Sequence, residues 1–155
     1  MSKRNPSPHM LAVQRANCLL QTYADAVDRG DTQAMLALFA PDAVWTYSPD
    51  MLLRGVDEMT AYCRQGVRIY KRTSHHVSLP VLGPLAEDGS FDSLAYLVAV
   101  PELHDGRRYT VWGRSVDRLV NHGGRLLIGN RQVQAHRTDG TSRRYHPLPR
   151  MTPSG

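Results

Sequence analysis

Residues 91–136, FDSLAYLVAVPELHDGRRYTVWGRSVDRLVNHGGRLLIGNRQVQAH, decide the fold. Three β-type runs, Phe91 to Leu103, Arg107 to Asn121 and Arg125 to His136, are parted by Asp105-Gly106 and Gly123-Gly124. Asp-Gly and Gly-Gly pairs mark tight hairpins, so the three runs are expected to form an antiparallel meander. Upstream, Thr73 to Val81 reads as a fourth β run, set off by Leu82-Gly83-Pro84 and Asp88-Gly89.

Before residue 73 the period changes. From about His9 to Arg29, Leu11, Ala12, Ala16, Leu19, Leu20, Tyr23, Ala26 and Val27 recur at helical spacing, and Gly30 ends the helix. Asp31 can cap a shorter helix, Thr32 to Phe39, which Ala40-Pro41-Asp42 breaks. Ala43 to Tyr47 reads as a strand, Ser48-Pro49-Asp50 as a turn and Gly55 to Tyr70 as a third helix. Helix, helix, strand, helix and then four strands is an α+β order, not alternating βαβ. Three helices packed on a curved mixed or antiparallel sheet would make a cone-shaped α+β barrel, closed at one end. Such a hollow suits an apolar small molecule.

The chain has 155 residues, 41% of them hydrophobic and 21% charged, as expected of one globular domain. We expect a head at 1–8, the domain at 9–137 and a tail at 138–155 that could order on a neighbouring subunit. No apolar run has the length of a membrane span and no signal peptide is evident, so a cytoplasmic location away from membranes is expected. The net charge is +5, but Lys3, Arg4, Arg137, Arg143, Arg144 and Arg150 lie near the ends, and no basic stripe marks a nucleic-acid surface. Cys18 and Cys63 are expected to be buried free thiols in helices. The seven histidines lack metal-ligand spacing, so no metal or other cofactor is expected.

Two residues stand out as candidate chemistry. Asp28 ends an apolar helix, where an acid opposes the helix dipole and calls for a donor partner; the plain alternative is a surface acid. His75 shares strand parity with Val77 and Leu79, which places it inside and His76 outside; the plain alternative is a core histidine. An aspartate bonded to one ring nitrogen fixes the tautomer and leaves the other nitrogen to take a proton.

The stretches YADAVDRGDTQAMLALFAPDAVWTY (23–47), RTSHHVSLP (72–80) and WGRSVDRLVNHGGRLLIGNRQV (112–133) resemble the SnoaL-like branch of the nuclear-transport-factor-2-like superfamily. Within it, the likeness is to scytalone dehydratase, bile acid 7α-dehydratase and hexachlorocyclohexane dehydrochlorinase, which eliminate water or HCl with a His-Asp pair. The resemblance implies that Asp28 and His75 are that pair, and that Tyr23 and Tyr47 occupy positions of catalytic or water-holding tyrosines. It sets Arg131 near a pocket arginine, and Glu102 and Ser115 near further polar pocket positions. Tyr23 and Asp28 are about 140° apart around an ideal helix, so one pocket would have to wrap around the helix end to receive both.

The expected mechanism is a cofactor-independent elimination. His75 acts as base beside a carbonyl or leaving group, Asp28 orients it, and Tyr23 or Tyr47 hydrogen-bonds the developing charge. Trp45, Phe39, Leu97 and Trp112 would supply apolar walls. An isomerase or polyketide cyclase would use the same base, and a non-catalytic binding cone would use the pair only as a structural bond. By resemblance, a homo-oligomer is expected, a trimer before a dimer.

Overall fold

The structure, a computed structural model, describes residues 6–48 and 50–140, with only the backbone described at 66–68. Helix α1 runs from Pro8 to Asp28, with the Ser7 side chain accepting a hydrogen bond from the Met10 N–H as its N-cap. Its buried stripe includes Ala12, Ala16, Leu19, Leu20, Ala24 and Ala26. After α2 (Thr32–Leu36) come β1 (Phe39–Ser48), β2 (Met51–Arg54), α3 (Gly55–Ile69), β3 (Tyr70–Arg72), β4 (His75–Val77) and β5 (Val81–Leu82). The chain then enters β6 (Phe91–Ala99), β7 (Glu102–Leu103), β8 (Tyr109–His122) and β9 (Arg125–Gly140).

The main sheet has the order β2-β1-β9-β8-β6-β4, with β5 also on β6; β3 and β7 form a separate two-stranded sheet. β6, β8 and β9 make the expected antiparallel meander, while β1 joins β9 in parallel, so the sheet is mixed. Three helices pack on it, and the sheet does not close into a full barrel, consistent with the expected α+β cone. The main core lies between α1, α2, α3 and the inner face, with Leu20, Met59, Leu119 and Ile128 fully buried.

Several boundaries differ from the sequence reading. Phe39 begins β1 instead of ending α2, because β1 passes through Pro41 where its register against β9 shifts between Phe39 and Val44. At such an irregularity a residue without an N–H leaves no ladder bond unmade. The 73–81 run is not one strand: β4 stops at Val77, and Leu79, expected inside, is 69% exposed. The 91–103 run divides at Val100-Pro101, which sends Glu102–Leu103 to pair with β3. β9 extends to Gly140, beyond the run read to His136; of the expected head at 1–8 and tail at 138–155, residues 1–5 and 141–155, like Pro49, lie outside the described residues. Cys18 is exposed, not buried, and Cys63 is half-buried. Among the described residues no helix is long and apolar enough to cross a membrane.

Candidate functional site

The site begins where α1 ends. Gly30 takes φ 67°, and the N–H groups of Gly30 and Asp31 close back on Val27 and Ala26. This glycine-terminated turn holds the preceding Asp28 against β4. Asp28 sits at the unfavourable end of the helix dipole, and three donors compensate. The Thr73 hydroxyl donates to Oδ1 at 2.9 Å, the His75 backbone N–H to Oδ2 at 2.8 Å, and His75 Nδ1 to Oδ1 at 2.6 Å. Burial pushes the carboxyl's pKa up, but the bonds from His75, its charge and the Thr73 hydroxyl outweigh burial and hold it below the ordinary 3.8. Since a carboxylate only accepts, the hydrogen resides on Nδ1, and Nε2 is the ring nitrogen left for a proton. His75 is half-buried whereas His76 is exposed, as the strand parity requires.

A cavity of about 450 Å³ opens beside this pair, and Tyr23, Asp28, Trp45, Tyr47, His75, Leu97, Ser115 and Arg131 all border it. The hollow therefore does wrap around the end of α1 to reach both Tyr23 and Asp28. One wall is aromatic. Trp45 meets Tyr47 edge-on at 5.9 Å and Tyr62 at 5.7 Å between ring centroids. Trp45 Nε1 is buried there without a hydrogen-bond partner.

Deeper in, Arg131 and Asp117 form a bidentate pair, Nε to Oδ1 at 2.8 Å and Nη2 to Oδ2 at 2.9 Å, with side chains 3% and 0% exposed. They face each other across β8 and β9 in register. The Arg131 guanidinium lies 4.0 Å over the Tyr23 ring. Burial favours loss of its proton, but Asp117 more than reverses this and keeps Arg131 charged. Burial raises the Tyr23 phenol, a rise that Arg131 tempers, so the hydroxyl stays protonated and can donate. Cys63 also borders the cavity, and burial pushes its thiol up to about 11, leaving little thiolate at neutral pH.

Three expected wall residues stand elsewhere. Phe39 is buried a layer behind, against the cavity-bordering Tyr23, Trp45 and Arg131. Trp112 is on the outer face of β8, 36% exposed and stacked against Arg137, because its parity is opposite to that of Val111, Gly113 and Ser115. Glu102 binds Arg72 and Arg108 behind the rim and does not border the hollow. Among the described residues, no group of three His, Cys, Asp or Glu side chains is placed to hold a metal.

Residues 10–132 match the SnoaL-like domain. The chain belongs to that family. Among solved structures, a protein from Novosphingobium aromaticivorans DSM 12444 provisionally named a scytalone dehydratase aligns with TM-score 0.85 at 18% identity, covering 94% of this chain and 98% of its own. A type 2 hexachlorocyclohexane dehydrochlorinase (LinA) aligns with TM-score 0.77 at 11% identity, over 93% of this chain and 98% of its own. ActVI-ORFA from Streptomyces coelicolor aligns with TM-score 0.63 at 21% identity, over 79% and 95%. No curated protein matches in sequence. At these identities the structural neighbours establish the fold.

Within this SnoaL-like domain the sequence reading overlooked Asp117, Thr73 and Tyr62. Asp117 shares parity with Ser115 on β8, a signal that was there to use. Thr73 stands two residues before His75, and extended backbone carries both to the same carboxylate. Tyr62 is on α3 and borders both the core and the cavity, and nothing local in the sequence distinguishes a cavity wall from ordinary core.

Proposed function

We propose that the protein is a cofactor-independent lyase that carries out a dehydratase-type elimination on an apolar small molecule bearing a carbonyl or hydroxyl group. The 2.6 Å bond from His75 Nδ1 to Asp28 carries this reading, since it sets the imidazole at the edge of a partly open hollow with one nitrogen uncommitted. His75 Nε2 takes the proton from carbon next to the carbonyl, and Asp28 stabilises the imidazolium that forms. Tyr23, kept protonated by burial, and the fixed charge of Arg131 stabilise the oxygen on which negative charge develops. As the C–O bond breaks and the C=C bond forms, the imidazolium returns its proton to the hydroxyl, which leaves as water; Tyr47 is suited to hydrogen-bond it, and Trp45, Leu97 and Ser115 shape the bound molecule. The names of two structural neighbours, a dehydratase and a dehydrochlorinase, agree with an elimination.

The test is exchange of acidic C–H protons, followed by NMR in heavy water over a panel of cyclic β-hydroxy ketones, with alkene formation read in the same spectra. Exchange together with alkene supports the lyase, and exchange without it supports an isomerase or cyclase using the same base. His75→Ala is expected to lower either rate by about 10²–10⁴-fold, the usual contribution of a positioned base. Binding of the ketones with no exchange by the wild type would leave a non-catalytic binding protein.

A further inference from the structure

The charges bordering the cavity are unevenly placed. Asp28 is engaged by His75 and Thr73, Arg131 by Asp117, and Arg29 by Asp25 and Asp31. Among the described residues, the other charged side chains on this border, Lys71 and Arg72, stand together on β3. Both are tied to one carboxylate, Glu102, which also holds Arg108: Arg72 Nε is 3.0 Å, Arg108 Nε 2.7 Å and Lys71 Nζ 3.4 Å from its oxygens. Three cations thus share a single buried anion. These hydrogen bonds hold the Glu102 carboxyl down at about 2, led by Arg72 and working against burial, so it stays ionised. The side chains of Lys71, Arg72 and Arg108 are 53%, 62% and 64% exposed against 7% for Glu102, so the surplus positive charge of this cluster faces outward.

We propose that the substrate is an amphipathic organic anion whose carboxylate, or an equivalent oxyanion, is received by Lys71 and Arg72 while its apolar body enters the hollow. The inference rests on the cavity being the substrate site, not on elimination being its chemistry. Glu102 fixes the Arg72 guanidinium in a two-point grip, so part of the entropy of ordering it is already lost before an anion arrives. Arg72 is three residues before His75, a span of at most about 11 Å of extended chain. An anion held at Arg72 is therefore within reach of a molecule whose reacting carbon faces His75, and Leu97 and Trp45 border the same space. An acid of this kind would be anchored at the rim with the correct end toward His75.

A matched pair of dyes tests this with the full chain. Anilinonaphthalene sulfonate and N-phenyl-1-naphthylamine share one ring system, and only the first carries a negative charge. In Lys71→Gln/Arg72→Gln the sulfonate should bind roughly tenfold more weakly, as loss of a partly desolvated ion pair implies, while the neutral dye is retained. The same double loss of charge at Arg15→Gln/Arg125→Gln, away from the cavity, should alter neither dye. Added salt should weaken only the sulfonate. Equal sulfonate binding by the wild type and the rim variant, or an equal loss in the distant variant, overturns the proposal. Blocking the hollow with Val133→Phe should remove both dyes; if both still bind, the hollow is not the site and the inference falls with that reading. Thermal melting of each variant confirms that the fold is retained.

Discussion

Both carboxylate oxygens of Asp28 are occupied before any substrate arrives, and this gives one residue two roles. It holds the His75 tautomer, and it ties the end of α1 to β4 through charge-assisted bonds. Asp28→Asn keeps the shape but removes the charge and places an amide NH₂ among donors. A loss of about 1–3 kcal/mol at neutral pH is expected, the range for bonds to a charged group. The pH dependence has a defined sign. The folded carboxyl has a pKa below the unfolded 3.8, so its stabilisation is complete above that value and is lost as pH falls through the folded pKa. Denaturant titrations of the wild type and Asp28→Asn should therefore converge as the pH drops below 3.8. A gap that stays constant to lower pH would mean that the ionised carboxylate is not the source of the stabilisation.

At the scale of elements, the sheet behind the cavity depends on how closely β8 and β9 approach. The register of β8 against β9 shifts between Trp112 and Gly113, and a Cβ on Gly113 would lie 2.5 Å from the Gln134 carbonyl oxygen. Only glycine lets the strands approach that closely. Gly113→Val should cost about 1–3 kcal/mol through overpacking, lowering the melting temperature by several degrees; unchanged melting would mean that the bulge has room to relax. This bulge also marks the limit of sequence reading. Hairpin pairs and apolar parity were legible, because they are local, and they led to the meander and to an inward His75. Trp112 reads as an apolar wall by residue type, but its parity turns it outward; the resemblance sets Glu102 near the pocket, but Val100-Pro101 diverts it to the second sheet. Phe39 was taken for a helix residue because Pro41 reads as a helix stop unless the parallel partner β9, far along the chain, is known. The meeting of Asp28 with His75 was legible as chemistry, through an acid at a helix end and an inward imidazole, but their distance depends on long-range packing of α1 on β4.

For the whole molecule, the hollow is a place where stability and binding compete. An unfilled core forfeits dispersion contacts, and each Å³ of truly empty cavity costs roughly 24 cal/mol. The cavity here is partly open and lined with polar groups, so water relieves much of that cost, yet its apolar walls still lack close neighbours. Val133 is half-buried on β9, paired in register with Ser115 on the adjacent β8, and both border the hollow. Val133→Phe extends an apolar side chain into that space with no backbone change. It should preserve or raise stability by up to about 1 kcal/mol, as cavity-filling substitutions do, and at the same time abolish ligand binding and turnover. Calorimetric melting and the dye titration on the same sample separate the two effects. A protein whose hollow was only a packing defect would gain the stability and lose nothing; one whose hollow is the working site must lose its function as its core improves.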